Sequence, residues 1–453
     1  MTAVLLRRAS LAPGRSTDLL LDGGNISASA PPRDVEELHL DGRPTLPGLA
    51  DHHLHLMALA AAWDSVDCSP EALASTGGLA VALRAARRRQ PHGWLRAVGY
   101  DITASGPLDR HRLDAIGAGP VRVQDRTGTR WMLDGLGLEA VLPADGGSWP
   151  DGVERDAAGR PTGVLVRLDA WLGGRVPRSS PDLAAVGRWL AGRGVTSVTD
   201  AGAANGPEEL ATLAAAGLHQ RVAAMTAAAA DPPPGVGLGP VKILLDDEDL
   251  PGLDALRARV DDAHRVGRAV AVHCVTETQL VLALAAGVDR RDRIEHASLV
   301  PADVLPLLVA AGPSVVVQPG LVRTRGDRYL TETDPGDRPG LHRLRSFLDA
   351  GLRVAASSDA PYGPADPWVG IAAAVERRTS SGAALGPAEA LPPDLALGLF
   401  LGSASDPGRR RSLRPGAVAD LFVLDDDWAA LGSVPRVWAT FVGGRRVVGG
   451  RSR

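Results

Sequence analysis

Eight short runs of β-branched and apolar residues recur along the chain, and segments of helical periodicity separate most of them. Strands that alternate with helices are typical of βαβ units and a parallel sheet. Eight such units predict a (β/α)8 TIM barrel, a fold of the α/β class. The eight runs cover residues 45–51, 195–202, 221–227, 241–246, 269–274, 292–297, 314–319 and 353–359.

Two regions stand outside this repeating pattern. The gap after the first run, about residues 56–194, is far longer than one crossover connection, so we expect an insertion after strand 1. Short β-like runs near both ends, at 19–22, 38–40, 421–424 and 438–442, predict one small composite β-domain over 1–46 and 413–453. The barrel is then expected over 47–412, and the Pro/Gly-rich stretch 231–240 is predicted to be a loop.

Composition narrows the class of protein. The 453 residues carry 49 basic and 53 acidic side chains, a net charge of −4. This balance lacks the excess of positive charge that is typical of nucleic-acid-binding proteins. No apolar run approaches the roughly 20 residues that a membrane span needs. The first eight residues place arginines after apolar residues, the reverse of a secretory signal. With only Cys68 and Cys274, a disulfide framework is excluded, so we expect a reducing, cytoplasmic setting.

Polar side chains of a few types fall at the ends of the predicted strands. In a TIM barrel the reacting groups lie at the C-terminal ends of the strands, so these side chains are expected to converge. His53 and His55 are two residues apart and face one side of an extended strand, whereas His52 points away. The predicted metal ligands are His53, His55, Lys242, His273, His296 and Asp359.

Imidazole and carboxylate are ligands of Zn²⁺ and similar divalent ions, so we expect one or two such ions, with zinc first. Lys242 is the only lysine of the chain, although arginine serves every other cationic position. Its apolar surroundings favour a neutral amine, which can add CO₂ and form a carbamate that bridges two metals. The alternative is an ion pair with Asp246 or Asp247. Asp359 is expected to bind metal and to transfer a proton, with a helix N-cap as its alternative role.

The segment Pro47-Gly48-Leu49-Ala50-Asp51-His52-His53-Leu54-His55 resembles the metal motif of the amidohydrolase superfamily, and of its branch that includes N-substituted formamide deformylase. The resemblance covers nearly the whole chain. It extends to the segments around residues 18–24, 94–101, 194–200, 241–243, 293–297, 357–361 and 415–421. It implies a metal-dependent hydrolase acting on non-peptide carbon–nitrogen bonds, with the same six ligands, Asp359 as proton shuttle and Lys242 as bridging carbamate. It also implies a carboxylate four residues after His273, here Glu277.

The chain departs from that branch inside the predicted insertion. Thr129 stands where the branch has histidine, and Asp134 stands near its usual asparagine, so the substrates of the branch are not carried over. The side chains expected to line the substrate pocket are Trp94, Tyr100, Arg126, Arg130, Trp131, Gln318 and Tyr362.

We therefore expect hydrolysis of an amide-type bond in a small molecule by metal-activated hydroxide, with Asp359 protonating the leaving nitrogen. One alternative keeps the metal and changes the reaction to deamination or to ester or lactone hydrolysis. Another is a non-catalytic barrel that binds a metabolite. The expected partners are the substrate and, as barrels of this size commonly pair, a second copy in a homodimer, with no nucleic acid and no membrane.

Overall fold

A computed structural model describes residues 3–12, 14–141, 149–177, 181–202, 205–227, 230–403, 406–425 and 434–449. The chain divides into two compact units. One consists of Met1–Leu56 together with Leu183–Arg453, and the other is Met57–Asp182. Among the described residues, no helix combines the length and the apolar composition that crossing a membrane requires.

Five strands precede the barrel. They are β1 (Val4–Ala12), β2 (Arg15–Asp22), β3 (Asn25–Ser27), β4 (Glu36–His39) and β5 (Thr45–Pro47). The first four form one sheet in the order β3-β2-β1-β4, in which β1 is antiparallel to β2 and parallel to β4. Leucines of β1 and β2 are buried in its core, which explains the apolar run that the sequence shows at 19–22.

The second unit follows the first barrel strand, β6 (Leu49–Leu54), and has its own core. The chain enters this unit through α1 (Leu56–Trp63). The elements that follow are β7 (Val66–Asp67), α2 (Pro70–Thr76), α3 (Leu79–Arg89), β8 (Leu95–Tyr100), α4 (Ile102–Ser105), α5 (Arg110–Asp114), β9 (Val121–Asp125), β10 (Arg130–Leu133), α6 (Gly135–Val141), β11 (Val153–Arg155), β12 (Pro161–Val166) and α7 (Asp169–Gly173). Six strands form its sheet, in the order β11-β12-β10-β9-β8-β7. This unit ends before the predicted limit of 194, because residues 183–191 already form a barrel helix.

The rest of the first unit continues the strand–helix alternation. Its elements are α8 (Leu183–Ala191), β13 (Val195–Asp200), α9 (Pro207–Ala215), β14 (Arg221–Thr226), β15 (Val236–Ile243), α10 (Leu253–Arg265), β16 (Val270–Cys274), α11 (Glu277–Ala285), β17 (Arg293–His296), α12 (Leu305–Ala311), β18 (Ser314–Val317), α13 (Gly320–Glu332), α14 (Arg345–Asp349), β19 (Val354–Ala356), α15 (Pro367–Glu376), α16 (Pro393–Gly398), β20 (Gly402–Ser403), β21 (Asp406–Arg410), β22 (Leu421–Leu424), β23 (Val437–Val442) and β24 (Arg445–Gly449). Two 3-10 turns lie at Arg338–Gly340 and Pro387–Glu389.

Eight parallel strands form the barrel, in the order β6-β13-β14-β15-β16-β17-β18-β19. Beyond the last strand, the amide of Asp359 donates to the carbonyl of His53 at 2.8 Å, and the amide of His55 donates to the carbonyl of Ala360 at 2.8 Å. These two bonds bring the chain after β19 back to β6. The predicted TIM barrel is therefore confirmed, and each of the eight predicted runs overlaps one of its strands.

The structure corrects two details of the prediction. The first run is split at Gly48 into β5 and β6, which belong to different sheets. A Cβ at Gly48 would lie 2.1 Å from Oγ1 of Thr196, so only glycine lets the chain turn this close to β13. The loop predicted at 231–240 is wrong for its second half, because β15 begins at Val236. Gly239 there lies against β14, and a Cβ would be 2.8 Å from the carbonyl oxygen of Ala224.

Strands from both chain ends meet in one further sheet. Its order is β24-β23-β22-β5, and β5 pairs antiparallel with β22. All four residues of β22 are buried, as its unbroken apolar sequence indicates.

Candidate metal centre

The last residues of β6 begin the site. His53 is buried at 1% exposure, and His55, two residues on, has its ring centroid 5.4 Å from that of His53. His52, between them, lies on the opposite side of the strand, next to Gly402. The two-residue alternation of an extended strand thus puts one pair of imidazoles on the inner face.

Three further strands bring their candidate residues to the same place. Nζ of Lys242, on β15, lies 3.5 Å from Nε2 of His53. The ring of His296, on β17, is 4.9 Å from that of His53 and 4.5 Å from that of His273, on β16. All six predicted ligands therefore lie in one cluster once Asp359 is added.

Asp359 follows β19 and faces both histidines of β6. Its Oδ1 lies 3.3 Å from Nε2 of His55 and 3.6 Å from Nε2 of His53. His53, His55 and Asp359 offer ligand atoms within 4.8 Å of one another, which is close enough for one ion. Asp359 has φ +55°, an uncommon conformation for a residue other than glycine, and its place at the site is held by the backbone bonds to β6.

A buried carboxylate that the sequence analysis did not single out lies behind His53. Glu295 is fully buried, and its Oε2 contacts Nδ1 of His53. Nε of Arg293 donates to Oε1 of Glu295 at 2.6 Å, and Nη2 of Arg293 donates to the carbonyl of His52 at 2.7 Å. With Nδ1 bound to a carboxylate, Nε2 of His53 is the nitrogen left to face the cluster.

A second buried carboxylate joins the ends of β6 and β19. Oδ1 of Asp51 accepts from the amides of Ser358 at 3.0 Å and His53 at 3.2 Å. Burial raises the pKa of Asp51 to about 6. The signals that could have found these two carboxylates were their positions beside the ligand histidines, Asp51 two residues before His53 and Glu295 next to His296.

Most side chains of the cluster are buried, and burial shifts their pKa values. Burial lowers the pKa of His53 and of His296, and it lowers that of His273 to about 2. Burial also lowers the pKa of Lys242, opposed by the charges of Glu295 and Asp359. For Asp359, burial acts upward, but the hydrogen bond from His55 and the nearby imidazoles outweigh it and hold its pKa below the usual range. Neutral imidazoles and an ionised carboxylate are the forms that bind metal.

Two predicted substrate residues lie in the barrel unit. Tyr362 has its ring 5.4 Å from the ring of His55, at right angles to it. Gln318 is 1% exposed, and its Oε1 lies 2.8 Å from Nδ1 of His296 while its Nε2 donates to Oγ of Ser357 at 2.9 Å. Its amide is thus engaged in orienting His296, which differs from the predicted place in a pocket wall.

The other five predicted substrate residues belong to the second unit, where two of them serve its core. Tyr100 is buried there, with its hydroxyl donating to the carbonyls of Ser105 and Gly106. Trp131 is buried in a second cluster, with Nε1 donating to Asp169 at 2.8 Å, and Trp94 packs against the same cluster. For Tyr100 and Trp131 this corrects the predicted pocket wall, because their side chains are enclosed by their own unit.

Arg126 and Arg130 are nearer to the surface of that unit. Nε of Arg126 lies 2.7 Å from Asp101, and Arg130 is exposed. The two positions at which the sequence departs from the formamide deformylase branch, Thr129 and Asp134, also belong to this unit. Thr129 is exposed and its hydroxyl lies 2.8 Å from that of Thr127, whereas Asp134 is buried and accepts from the amides of Val121 and Gly137. Asp134 therefore has a structural role in this unit, as the acceptor of two backbone amides.

Glu277 and the two cysteines complete the residues that the sequence analysis named. Glu277 is the exposed first residue of α11. Cys274 is buried and unpaired, as is Cys68, and both are small core residues.

The donor set fits a divalent metal. The cluster contains four imidazoles, three of which burial keeps neutral, together with one carboxylate and one amine. Glu295 and Gln318 contact the second ring nitrogen of His53 and of His296 and so orient these two rings. Such outer contacts commonly accompany metal-binding histidines. His53, His55, His273, His296 and Asp359 are the residues that would hold an ion directly.

Comparisons with known proteins identify the family of the chain. The sequence profile of the amidohydrolase family matches residues 36–448. N-substituted formamide deformylase from Arthrobacter pascens is 27% identical over 90% of both chains. Solved structures of an uncharacterized metal-dependent hydrolase from Pyrococcus horikoshii and one from Pyrococcus furiosus superpose with TM-scores of 0.76 and 0.73, each at 20% identity. The first match covers 95% of this chain and 98% of the other, and the second covers 94% and 100%. The chain thus belongs to the amidohydrolase family, as a metal-dependent hydrolase on a TIM barrel.

Proposed function

We propose that the protein hydrolyses a non-peptide amide-type bond of a small molecule at the cluster of His53, His55, Lys242, His273, His296 and Asp359. The observation that carries the proposal is the position of Asp359, whose carboxylate lies 3.3 Å from His55 and 3.6 Å from His53. A carboxylate held there serves two purposes, because one oxygen can bind the ion and the other can exchange a proton. The similarity to a formamide deformylase supports a carbon–nitrogen bond as the target.

The ion that we infer is Zn²⁺, because nitrogen donors with one carboxylate are typical zinc ligands. When bound, it supplies Lewis acidity that polarises the substrate carbonyl and acidifies the attacking water. Asp359 accepts the proton of that water and returns it to the leaving nitrogen. Glu295 keeps Nε2 of His53 directed at the cluster. The ring of Tyr362 lies beside His55, where it is placed to contact a substrate.

Lys242 is the residue that we assign to a second ion. Lys242 is 8% exposed and burial lowers its pKa, so the neutral amine that reacts with CO₂ is favoured. A carbamate on Nζ would supply two anionic oxygens next to His53. Nζ of Lys242 faces Nε2 of His53 at 3.5 Å, which places the amine at the cluster of imidazoles.

The test is turnover of a defined panel by the metal-depleted protein before and after zinc is restored. The panel holds N-formyl and N-acyl amines, amino-substituted heterocycles, and esters and lactones. We expect zinc-dependent release of an amine from the N-formyl or N-acyl compounds. Ammonia from a heterocycle, or turnover of esters alone, would assign the barrel to the alternative reactions, and full activity in chelator would refute metal dependence. A cytoplasmic location, a homodimer and the absence of nucleic-acid binding stay predictions of the sequence.

A further inference from the structure

A cavity of about 510 Å³ lies in the barrel unit where several strands begin. Arg293, the first residue of β17, lines it, whereas His296 at the other end of the same strand belongs to the metal cluster. The cavity therefore lies at the opposite strand ends from the candidate metal centre. Five arginines and two aspartates are the charged residues of its lining: Arg268, Arg290, Arg291, Arg293, Arg353, Asp292 and Asp406.

The acidic residues of this lining are already engaged. Oδ1 of Asp292 accepts from the amide of Val270 at 2.9 Å and lies 2.9 Å from Nε2 of His264, while its Oδ2 accepts from the amide of Asp289 at 2.8 Å. Oδ1 of Asp406 lies 3.7 Å from Arg353. Asp292 is thus held by backbone amides and His264, and the ion pair of Asp406 with Arg353 is long.

A cation is a poor occupant of this region, although His264, Asp289 and Asp292 could in principle hold one. Arg291 already occupies the position between them. Its Nη2 lies 2.7 Å from Asp289 and 3.0 Å from Nδ1 of His264. A guanidinium that bonds two of the three candidate ligands excludes a metal ion by charge and by space.

Three arginines of the lining pair with carboxylates, Arg291 with Asp289, Arg293 with Glu295 and Arg353 with Asp406, but guanidinium donors of the lining remain without an acceptor among the described residues. Arg290 is exposed and makes no ion pair with any residue in the described ranges. Arg268 donates to the carbonyls of Ala227 and Gly239 and to Oγ1 of Thr226. Arg293 is 4% exposed, and its buried Nη1 has no hydrogen-bond partner within the described part of the chain. A buried donor without a partner costs free energy that a bound acceptor would recover.

We propose that this cavity binds a phosphate-type oxyanion, either free phosphate or the phosphoryl group of a small ester. Arginine presents a planar array of donors that matches phosphate oxygens, and several guanidinium groups around one cavity favour a multiply charged anion. Arg290, Arg353 and Arg293 are the residues that we expect to contact it. The net charge of −4 for the whole chain makes this a local feature rather than a general attraction for anions.

The experiment is calorimetric titration of the metal-depleted protein at constant ionic strength, first with inorganic phosphate and then with glycerol phosphate. Metal depletion removes the candidate metal centre as a competing phosphate site. We expect saturable binding that weakens about tenfold or more in Arg290→Gln and further when Arg353→Gln is added. Arg88→Gln, which removes an exposed arginine of α3, is the matched control and should bind as the wild type does. Because Arg290 has no ion-pair partner among the residues that the structure describes, its replacement is expected to leave the thermal unfolding temperature unchanged.

The two probes distinguish the sources of the anion. Equal or tighter binding of glycerol phosphate indicates a phosphoryl ester, and binding of inorganic phosphate alone indicates the free ion; both outcomes support the site. Equal affinity in the wild type and in Arg290→Gln/Arg353→Gln would overturn it. Binding that requires zinc and survives both substitutions would also overturn it, because the anion would then occupy the metal centre.

Discussion

Arg293 and Glu295 form a buried ion pair in which Nε of the arginine lies 2.6 Å from Oε1 of the glutamate. The side chain of Arg293 is 5% exposed, and that of Glu295 is fully buried. Oε2 of Glu295 in turn contacts Nδ1 of His53. A charge pair in such surroundings is costly to break, because the partner that remains is left buried and uncompensated. The orientation of His53 and the stability of β17 thus depend on the same carboxylate.

We expect Glu295→Gln to weaken zinc binding by about 10–100-fold, because His53 loses the acceptor that fixes its ring. It should also lower the free energy of unfolding by about 3–5 kcal/mol, because Arg293 loses its counter-charge. Zinc titration against a competing chelator and denaturant unfolding of the metal-depleted protein measure the two effects. Glu277→Gln, at an exposed position of α11, should change neither quantity. Unaltered zinc affinity in Glu295→Gln would show that the contact with His53 does not matter for binding.

Asp359→Asn tests the proton transfer that we assign to this residue. The amide retains an oxygen that can contact an ion but cannot accept a proton, so kcat should fall by about 10²–10⁴-fold. Measurements at saturating zinc, with the bound metal quantified, separate loss of chemistry from loss of the ion. Asp366→Asn is the control, since that residue caps α15 through its side-chain oxygen. Wild-type turnover by a zinc-loaded Asp359→Asn protein would remove Asp359 from the mechanism.

Bicarbonate dependence is the signature expected of Lys242. In CO₂-depleted buffer, the wild-type protein should bind less zinc per chain, and added bicarbonate should restore the lost fraction. Lys242→Arg cannot form a carbamate, because its guanidinium stays protonated, so its zinc content should be low and insensitive to bicarbonate. Metal analysis after gel filtration provides the count. If both proteins bind the same zinc with and without bicarbonate, the amine is a simple neighbour of His53.

Acid should destabilise the fold through His342. Burial, with a smaller contribution from the charge of Arg377, lowers its pKa to about 3, against about 6.5 in an unfolded chain. Below pH 6.5 the unfolded state binds the extra proton, so stability is complete above that pH and decreases towards pH 3. The slope attributable to one such histidine is at most about 1.4 kcal/mol per pH unit.

Denaturant unfolding of metal-depleted His342→Gln between pH 4 and 8 measures this contribution. The difference from the wild type should grow as the pH falls, with the variant showing the flatter profile. His39→Gln, at an exposed position of β4, serves as the control and should preserve the wild-type profile. Parallel profiles for wild type and His342→Gln would exclude His342 as a source of acid sensitivity.

The two thiols should be inert in the native protein. Burial raises the pKa of Cys68 to about 12 and raises that of Cys274 as well. The thiolate is the reactive form, so at pH 8 only about one Cys68 in 10⁴ is reactive, and the reactive fraction rises only as the pH approaches 12. Mass spectrometry after iodoacetamide treatment should find neither cysteine labelled in the folded protein and both labelled in denaturant. Rapid labelling of either native thiol would contradict the burial described.

Much of the barrel could be predicted because its strands are buried on both faces. β18 contains three consecutive valines and is buried along its whole length, and the buried Val222 marks β14 in the same way. The six candidate side chains could be expected to converge because each lies in the second half of a predicted strand run or just after it, and the structure brings them into one cluster. What failed was local: Gly48 and Gly239 change the strand limits through close backbone approaches that a single sequence does not reveal.

Strand alternation alone does not predict the contact of Glu295 with the site, for a conformational reason. His296 and Ala297 have φ values of +73° and +46°, so the alternation of side chains stops where β17 ends. Strict alternation would place Glu295 on the far side from His296, whereas both residues contact the ligand cluster. The aromatic residues of the insertion were misjudged for a different reason. Tyr100 and Trp131 satisfy their own polar atoms inside that unit, and composition does not distinguish a core aromatic residue from an exposed one.

The burial of Lys242 makes chemical labelling of this protein unusually selective. The folded chain has a single ε-amine, and it lies in the cluster of imidazoles with 8% of its surface exposed. Among amines, an acylating reagent applied to the native protein can therefore modify only that one and the α-amino group. The mass of one peptide then shows whether the amine was free, shielded by an ion or already converted to another species, so that the state of the centre can be read in a mixture without purified substrate.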